Sequence, residues 1–205
     1  MIISPPSPPV LEERAIVLRI MEGNDNTGWV ARLIDKYYPE DNELRRILLE
    51  HSEAVCRRAL QICDQHPELH LDRRFVEEAA MLHDIGIFKC DAPKIQCFGR
   101  EPYIRHGRIG ADLIRAEGYP RHARVCERHT GTGLSKENII ANGLPLPAED
   151  FLPETLEEKA ICYADKFYSK SKLKHVRSIE EVEQSLTHFG KDGLARFKEW
   201  EEMFE

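Results

Sequence analysis

At 205 residues the chain is long enough for one domain with a real core. Hydrophobic residues make up 41% and charged residues 32%, which excludes a disordered polymer. The formal charge of −7 argues against a general nucleic-acid partner, which favours a basic face, but leaves room for a small phosphorylated substrate in a local basic pocket.

The leader Met1 to Pro9 is proline-rich, with neither a basic region nor a long apolar stretch, so it does not read as a secretory signal. It reads as a flexible tail or as a contact in a homodimer. Val10 to Met21 follows as a short helix, and Gly28 to Tyr38 as a second that ends before Pro39. Asn42 to Asp64 carries Leu44, Ile47, Leu48, Val55, Leu60 and Ile62 at helical spacing. Asp72 caps a helix that runs through His83 and Asp84 and stops at Gly86. Phe88 to Pro102 is a loop marked by Pro93, Gly99 and Pro102. Helices are then expected over Tyr103 to Glu117, Tyr119 to Arg128 and, briefly, Ser135 to Asn142. A proline-broken connection runs from Gly143 to Pro153. Thr155 with Glu158 and Ser178 with Glu181 form capping boxes for Leu156 to Ser169 and Ile179 to Phe189, and a last helix spans Asp192 to Phe204.

Strand patterns are nearly absent, and no apolar run approaches the roughly 20 residues that span a bilayer. The expectation is an all-α, single-domain helical bundle over 41–205 with an N-terminal leader and helical extension over 1–40. Cys56, Cys63, Cys90, Cys97, Cys126 and Cys162 form no CxxC pair and read as reduced thiols of a cytoplasmic protein. Cys90 and Cys97 flank a loop and offer a weak zinc spacing, but small hydrophobes are the favoured reading.

The chemistry starts at His83-Asp84. An imidazole and a carboxylate side by side at the end of an apolar helix are poorly explained by packing. Burying an unpaired carboxylate costs several kcal/mol, roughly, and a divalent cation resolves that cost with its ordinary nitrogen and oxygen ligands. His51, His106, His129 and Asp165 interrupt other helices, each unremarkable alone. His122, seven residues before His129, is read as a surface residue.

Taken in order, His, His-Asp, His, His, Asp on separate elements resembles the HD superfamily of metal-dependent phosphohydrolases. The strings LLEHSEAV, AAMLHDIGIFK, IRHGRIGADLI, VCERHTGTGL and LEEKAICYADKFYSK carry the likeness, which covers roughly His51 to Lys170 and points to the HDIG-type, nucleotide-hydrolysing branch. The resemblance implies an HD-domain helical fold. It also implies that His51, His83, Asp84 and Asp165 are the defining metal ligands, that His106 and His129 serve a second ion, and that Asp84 bridges the two.

Six protein ligands around one ion would leave no place for substrate, whereas two ions sharing Asp84 each keep open positions. Mixed nitrogen and oxygen ligation suits iron, manganese, cobalt or zinc better than magnesium, and the resemblance implies iron or manganese, with cobalt, nickel or zinc as alternatives. The implied reaction is cleavage of a phosphomonoester or phosphoanhydride of a nucleotide by a hydroxide bridging the ions. Relatives with HDIGK place a lysine where this chain has Ile87, and Lys89 is the nearest substitute. Lys89, Arg105 and Lys166 are the residues expected to balance charge. Arg100, Arg108 and Thr130 join them as substrate contacts. The loop Phe88 to Pro102 and the segment Ser135 to Pro153 are expected to line the pocket mouth. A di-iron oxygenase with the same ligands and a non-catalytic nucleotide sensor are the alternatives.

Overall fold

A computed structural model describes residues 28–187 and 191–205, so the helix expected over Val10 to Met21 lies outside the described residues. Nine α-helices dominate them. α1 spans Gly28–Tyr37, α2 Glu43–Gln65, α3 Arg73–Leu82, α4 His106–Ala116, α5 Pro120–Arg128, α6 Lys136–Ala141, α7 Leu156–Asp165, α8 Ile179–Thr187 and α9 Lys191–Phe204.

The helix starts follow the capping chemistry. Asn42 Oδ1 accepts from Arg45 N at 3.0 Å and Asp72 Oδ1 from Phe75 N at 3.1 Å, each satisfying an orphan donor of the first turn. Both expected capping boxes are present. Glu158 N donates to Thr155 Oγ1 at 3.2 Å while Thr155 N donates to Glu158 Oε2 at 3.4 Å. Ser178 and Glu181 exchange the same pair of bonds.

The core has two adjoining parts. One gathers Val30 and Ile34 of α1, Leu48 and Val55 of α2, Val76 and Leu82 of α3, and Ile114 and Val125 of α4 and α5. The other packs Tyr163 and Phe167 against Phe197, Trp200 and Phe204 of α9, with Val182 and Leu186 of α8. α7 belongs to both, because Ile161 and Ala164 face the first and Ala160 and Tyr163 the second. α1 is tied down further by Tyr38, whose hydroxyl donates to Ile85 O at 2.9 Å.

Three sequence expectations are corrected. The loop Phe88 to Pro102 contains a three-stranded sheet, β1 (Cys90–Ala92), β2 (Cys97–Phe98) and β3 (Glu101–Pro102), ordered β2-β1-β3. Strands of two or three residues are too short to show alternation. The helix ahead of His83 ends at Leu82 rather than at Gly86, and α7 ends at Asp165 rather than at Ser169. Beyond Asp165 the chain leaves the helix through short turns, and Tyr168 pairs with Val176.

Gly86 has a negative φ and does not end a helix by backbone freedom. Its role is closeness: a Cβ there would lie 2.3 Å from His106 O and 2.4 Å from Gly110 N. A Cβ on Gly107 would likewise lie 2.4 Å from Cys126 O. These contacts let the turn after Asp84, α4 and α5 close on one another at the point where their histidines meet.

Candidate metal centre

The structure brings all six expected ligands together. His51 comes from the middle of α2, His83 and Asp84 from the turn after α3, and His106 from the start of α4. His129 follows α5, and Asp165 ends α7. Nitrogen and oxygen atoms of His51, His83, Asp84 and Asp165 lie within 4.8 Å of one another, and so do those of Asp84, His106 and His129. Asp84 belongs to both groups. Its Oδ2 faces His51 Nε2 at 3.1 Å and His83 Nε2 at 3.0 Å, and its Oδ1 faces His106 and His129 Nε2 at 3.4 Å each. One carboxylate oxygen therefore serves each group. All six residues are buried.

Backbone carbonyls set the ring orientation. His83 Nδ1 bonds Ala80 O at 2.6 Å, His106 Nδ1 bonds Tyr103 O at 2.6 Å, and His129 Nδ1 bonds Cys126 O at 2.8 Å. A carbonyl only accepts, so each Nδ1 is the donor and each Nε2 is turned inward. In a neutral ring that leaves a lone pair on Nε2. His106 and His129 Nε2 are 3.0 Å apart, and burial pushes both rings toward the neutral form, His106 down to about 3 with His129 adding to the effect. Two lone pairs facing at that distance repel, and a cation between them removes the conflict.

The other half is charged. Burial lowers the basicity of His83, but Asp84 and Asp165 outweigh it and push the pKa up to about 9. Burial raises Asp84 and Asp165, yet Lys170 and His83 for the first, and Lys166 and His51 for the second, hold both well below the usual carboxylate range. A proton held on an imidazole by two carboxylates is one that a divalent cation displaces on binding. Both oxygens of Asp84 also lack a hydrogen-bond donor in good geometry. On these grounds each group fits a metal ion.

The expected basic residues divide. Lys166 is at the site: its Nζ lies 2.7 Å from Asp165 Oδ2 and donates to His129 O at 3.1 Å. Arg105 is held by Glu101 at 2.5 Å, and Arg108 by Asp112 and Glu127. Lys89 and Arg100 are exposed, with Lys89 Nζ near its neighbour Phe88. Thr130 and Arg108 line a small cavity with Leu146 and Phe151. A cleft of about 330 Å³ opens beside Asp165 and is lined by Ala92, Lys94, Tyr103, Lys166, Lys170 and Arg177 among others. Of the expected substrate contacts only Lys166 borders it. The strand-bearing loop reaches it as expected, but the segment Ser135 to Pro153 does not.

Lys170, which sequence reasoning missed, stands closest to the shared carboxylate, with Nζ 2.5 Å from Asp84 Oδ2 and its side chain 12% exposed. Burial works against its charge, but Asp84, Tyr103 and Asp165 more than compensate and raise its pKa above the ordinary lysine value. Its sequence signal was weak: one lysine in a lysine-rich turn. His122 is also corrected. It is buried rather than on the surface, bonds Glu78 Oε2 at 3.1 Å, and sits edge-on to the stacked pair Trp29 and Tyr119. The aromatic residues that cover it, Trp29, Phe75 and Tyr119, come from α1, α3 and the turn before α5, so no local pattern marks it. Among the described residues no metal-binding group includes Cys90 or Cys97, and all six cysteines are free.

The family model for the HD domain matches residues 48–169, well over half of the chain and all six clustered side chains. The chain belongs to the HD-domain family. A tRNA (cytidine(56)-2'-O)-methyltransferase of Picrophilus torridus is 31% identical over 178 residues, covering 82% of this chain and 47% of that protein. One of the same name from Thermoplasma volcanium is 30% identical over 148 residues, covering 72% and 37%. An uncharacterised protein of Methanocaldococcus jannaschii is 36% identical over 121 residues, covering 58% and 64%. The chain thus spans between about a third and two thirds of these relatives. No solved structure matches it. Relatives named for tRNA leave the expectation of no nucleic-acid partner without support. Among the described residues of this HD-domain protein, no helix is long and apolar enough to cross a membrane.

Proposed function

We propose that this HD-domain protein is a metal-dependent phosphohydrolase that cleaves a phosphomonoester or phosphoanhydride, in the first instance of a nucleotide. One observation carries the reading: two groups of buried imidazole nitrogens turn toward opposite oxygens of one aspartate. His51, His83, Asp84 and Asp165 would hold one cation, and Asp84, His106 and His129 a second. Two cations so placed supply Lewis acidity toward phosphoryl oxygens and lower the pKa of water, roughly to 7.

The chain's own residues do the rest. Three backbone carbonyls keep three imidazoles aimed inward, so the ligands need little reordering. Lys166 and Lys170 bring positive charge to the cleft beside Asp165, where a phosphate's oxygens need compensation. Tyr103 closes the wall behind His106, its ring stacked on the imidazole at 4.5 Å. Iron or manganese suits the mixed ligand set, with cobalt, nickel and zinc as alternatives.

The names of two relatives favour a second reading, in which the phosphate is carried by tRNA. Methyl transfer itself is not adopted, because the match covers less than half of each of those proteins and the clustered side chains have the character of cation ligands.

The test is metal analysis of protein purified without chelator, then phosphate release from p-nitrophenyl phosphate, a nucleotide panel and tRNA. More than one equivalent of transition metal with turnover that chelation abolishes is expected. Metal-free protein that hydrolyses none of these, or that methylates tRNA from S-adenosylmethionine, would overturn the proposal.

A further inference from the structure

Positive charge in this chain is unevenly spread. The segment from Lys166 through Arg177 holds five lysines and arginines, both ends included, and no Asp or Glu, in a chain whose formal charge is −7. With 36 acidic residues against 29 basic ones, most cations can find a carboxylate. Arg121, Arg124 and Arg128 on α5 each do. Lys94, Lys172 and Lys174 have no carboxylate partner among the described residues.

These three lysines meet in one place. A second cleft, about 560 Å³, is lined by Lys94, Lys170, Ser171, Lys172 and Lys174, with Ile47 and an Arg46 flanked by two glutamates on the opposing α2 wall. Glu43 and Glu50 on that wall are both ion-paired to Arg46, at 2.5 and 2.6 Å. The second cleft shares Lys94, Lys170 and Ser171 with the cleft beside Asp165, so the two adjoin. The lysines do not hang on a loose tail. Tyr168 pairs with Val176, Arg177 N donates to Phe167 O at 2.9 Å, and Lys172 N and His175 N close turns onto Ser169 O and Lys172 O. A concave site with lysines on an anchored backbone and few free anions concentrates field on an incoming anion.

We propose that this second cleft binds a further phosphate group of the substrate, so that the preferred substrate carries at least two phosphates on separate atoms of a nucleotide or a short nucleotide strand. The inference rests on the phosphohydrolase reading for the identity of the first cleft. Lys94, Lys172 and Lys174 hold the distal phosphate as point charges, while Lys170 stands at the boundary.

The test is equilibrium binding to protein purified without chelator. The probes are adenosine 5'-monophosphate, adenosine 3',5'-bisphosphate and a fluorescent 5'-phosphorylated pentaadenylate. Wild type is compared with Lys172→Glu/Lys174→Glu and with the charge-matched control Lys136→Glu/Lys198→Glu, after thermal melts confirm that all are folded. The expected result is at least tenfold tighter binding of the bisphosphate or the pentaadenylate than of the monophosphate. That preference should fall about tenfold in the cleft variant and persist in the control. Preference for the bisphosphate marks a small-molecule source, and preference for the pentaadenylate alone marks a strand. Equal binding of all three probes, or a preference that the cleft variant keeps or the control also loses, overturns the proposal. Because binding is read separately from turnover, with the integrity of each probe checked by chromatography, absence of hydrolysis would count against the phosphohydrolase reading alone.

Discussion

The ligand cluster and the cationic mouth are five residues apart between Asp165 and Lys170, yet they are built by different physics. The cluster lies where helices converge, its rings are fixed by backbone carbonyls, and glycines let the backbones touch. The mouth is made of turns, the end of the three-residue β1 and lysines, of which Lys94, Lys172 and Lys174 are exposed. The cluster is specified by position, so small displacements should be costly. The mouth is specified by charge, so its losses should be graded and sensitive to salt.

The largest effect should come from Asp84, the one residue common to both halves of the cluster. Asp84→Asn is expected to lower bound metal, measured by elemental analysis, and phosphate release by at least about a hundredfold. If both survive within tenfold, the cluster does not act as one centre. Next is Gly86→Ala, whose methyl would meet two backbone atoms that cannot move aside. It should cost about 3 kcal/mol in denaturant unfolding. Gly118→Ala, with nothing nearby but a φ of 89°, should cost only about 1 kcal/mol. Equal costs would erase the claim that the cluster is set by close approach.

At the mouth, Lys170→Ala should reduce kcat/KM for p-nitrophenyl phosphate about tenfold. Arg108→Ala, whose charge is committed to Asp112 and Glu127, should change it less than twofold. The reverse order would restore the sequence-based choice of substrate contacts.

The smallest effect concerns His122, buried but outside the cluster. Burial lowers its pKa although the bond to Glu78 opposes this. Its native value therefore lies below the unfolded one, near 6.5. The stability it contributes is complete above that value and is lost as pH falls through the native value. His122→Phe should flatten the acid limb of stability below about pH 6.5, by about 1 kcal/mol or less. Trp29 and Arg74 both bond Glu78 Oε1, so the substitution leaves Oε2 without His122 and lowers stability at every pH; the test is the slope of the acid limb. An unchanged limb would place the acid sensitivity elsewhere.

The same contrast explains what could be read from the sequence. His83 and Asp84 were legible because they break an apolar helical pattern with residues that packing does not favour; His51, His106, His129 and Asp165, unremarkable alone, were legible only as an ordered set that resembles the HD superfamily. The caps at Asp72, Thr155 and Ser178 were legible because capping is local chemistry. Lys170 was not, since its partner Asp84 is 86 positions away and a lysine in a turn is ordinary. His122 was missed because its cover comes from Trp29, Phe75 and Tyr119, which no local window contains. The mini-sheet was missed because its strands are shorter than the alternation used to detect strands. Gly86 was expected to stop the helix, which ends at Leu82; its close approach to Gly110 was not legible because that neighbour lies on another helix.

Three of the four inward-facing rings, those of His83, His106 and His129, are each clamped to the carbonyl three residues before them. The clamp lies within a single turn of backbone and owes nothing to an ion. Cation uptake is then capture by a rigid cage rather than a coupled folding event, with little entropy lost on loading. The clamped Nδ1 protons should appear in nitrogen-15 spectra as sheltered, slowly exchanging resonances that persist through repeated stripping and reloading.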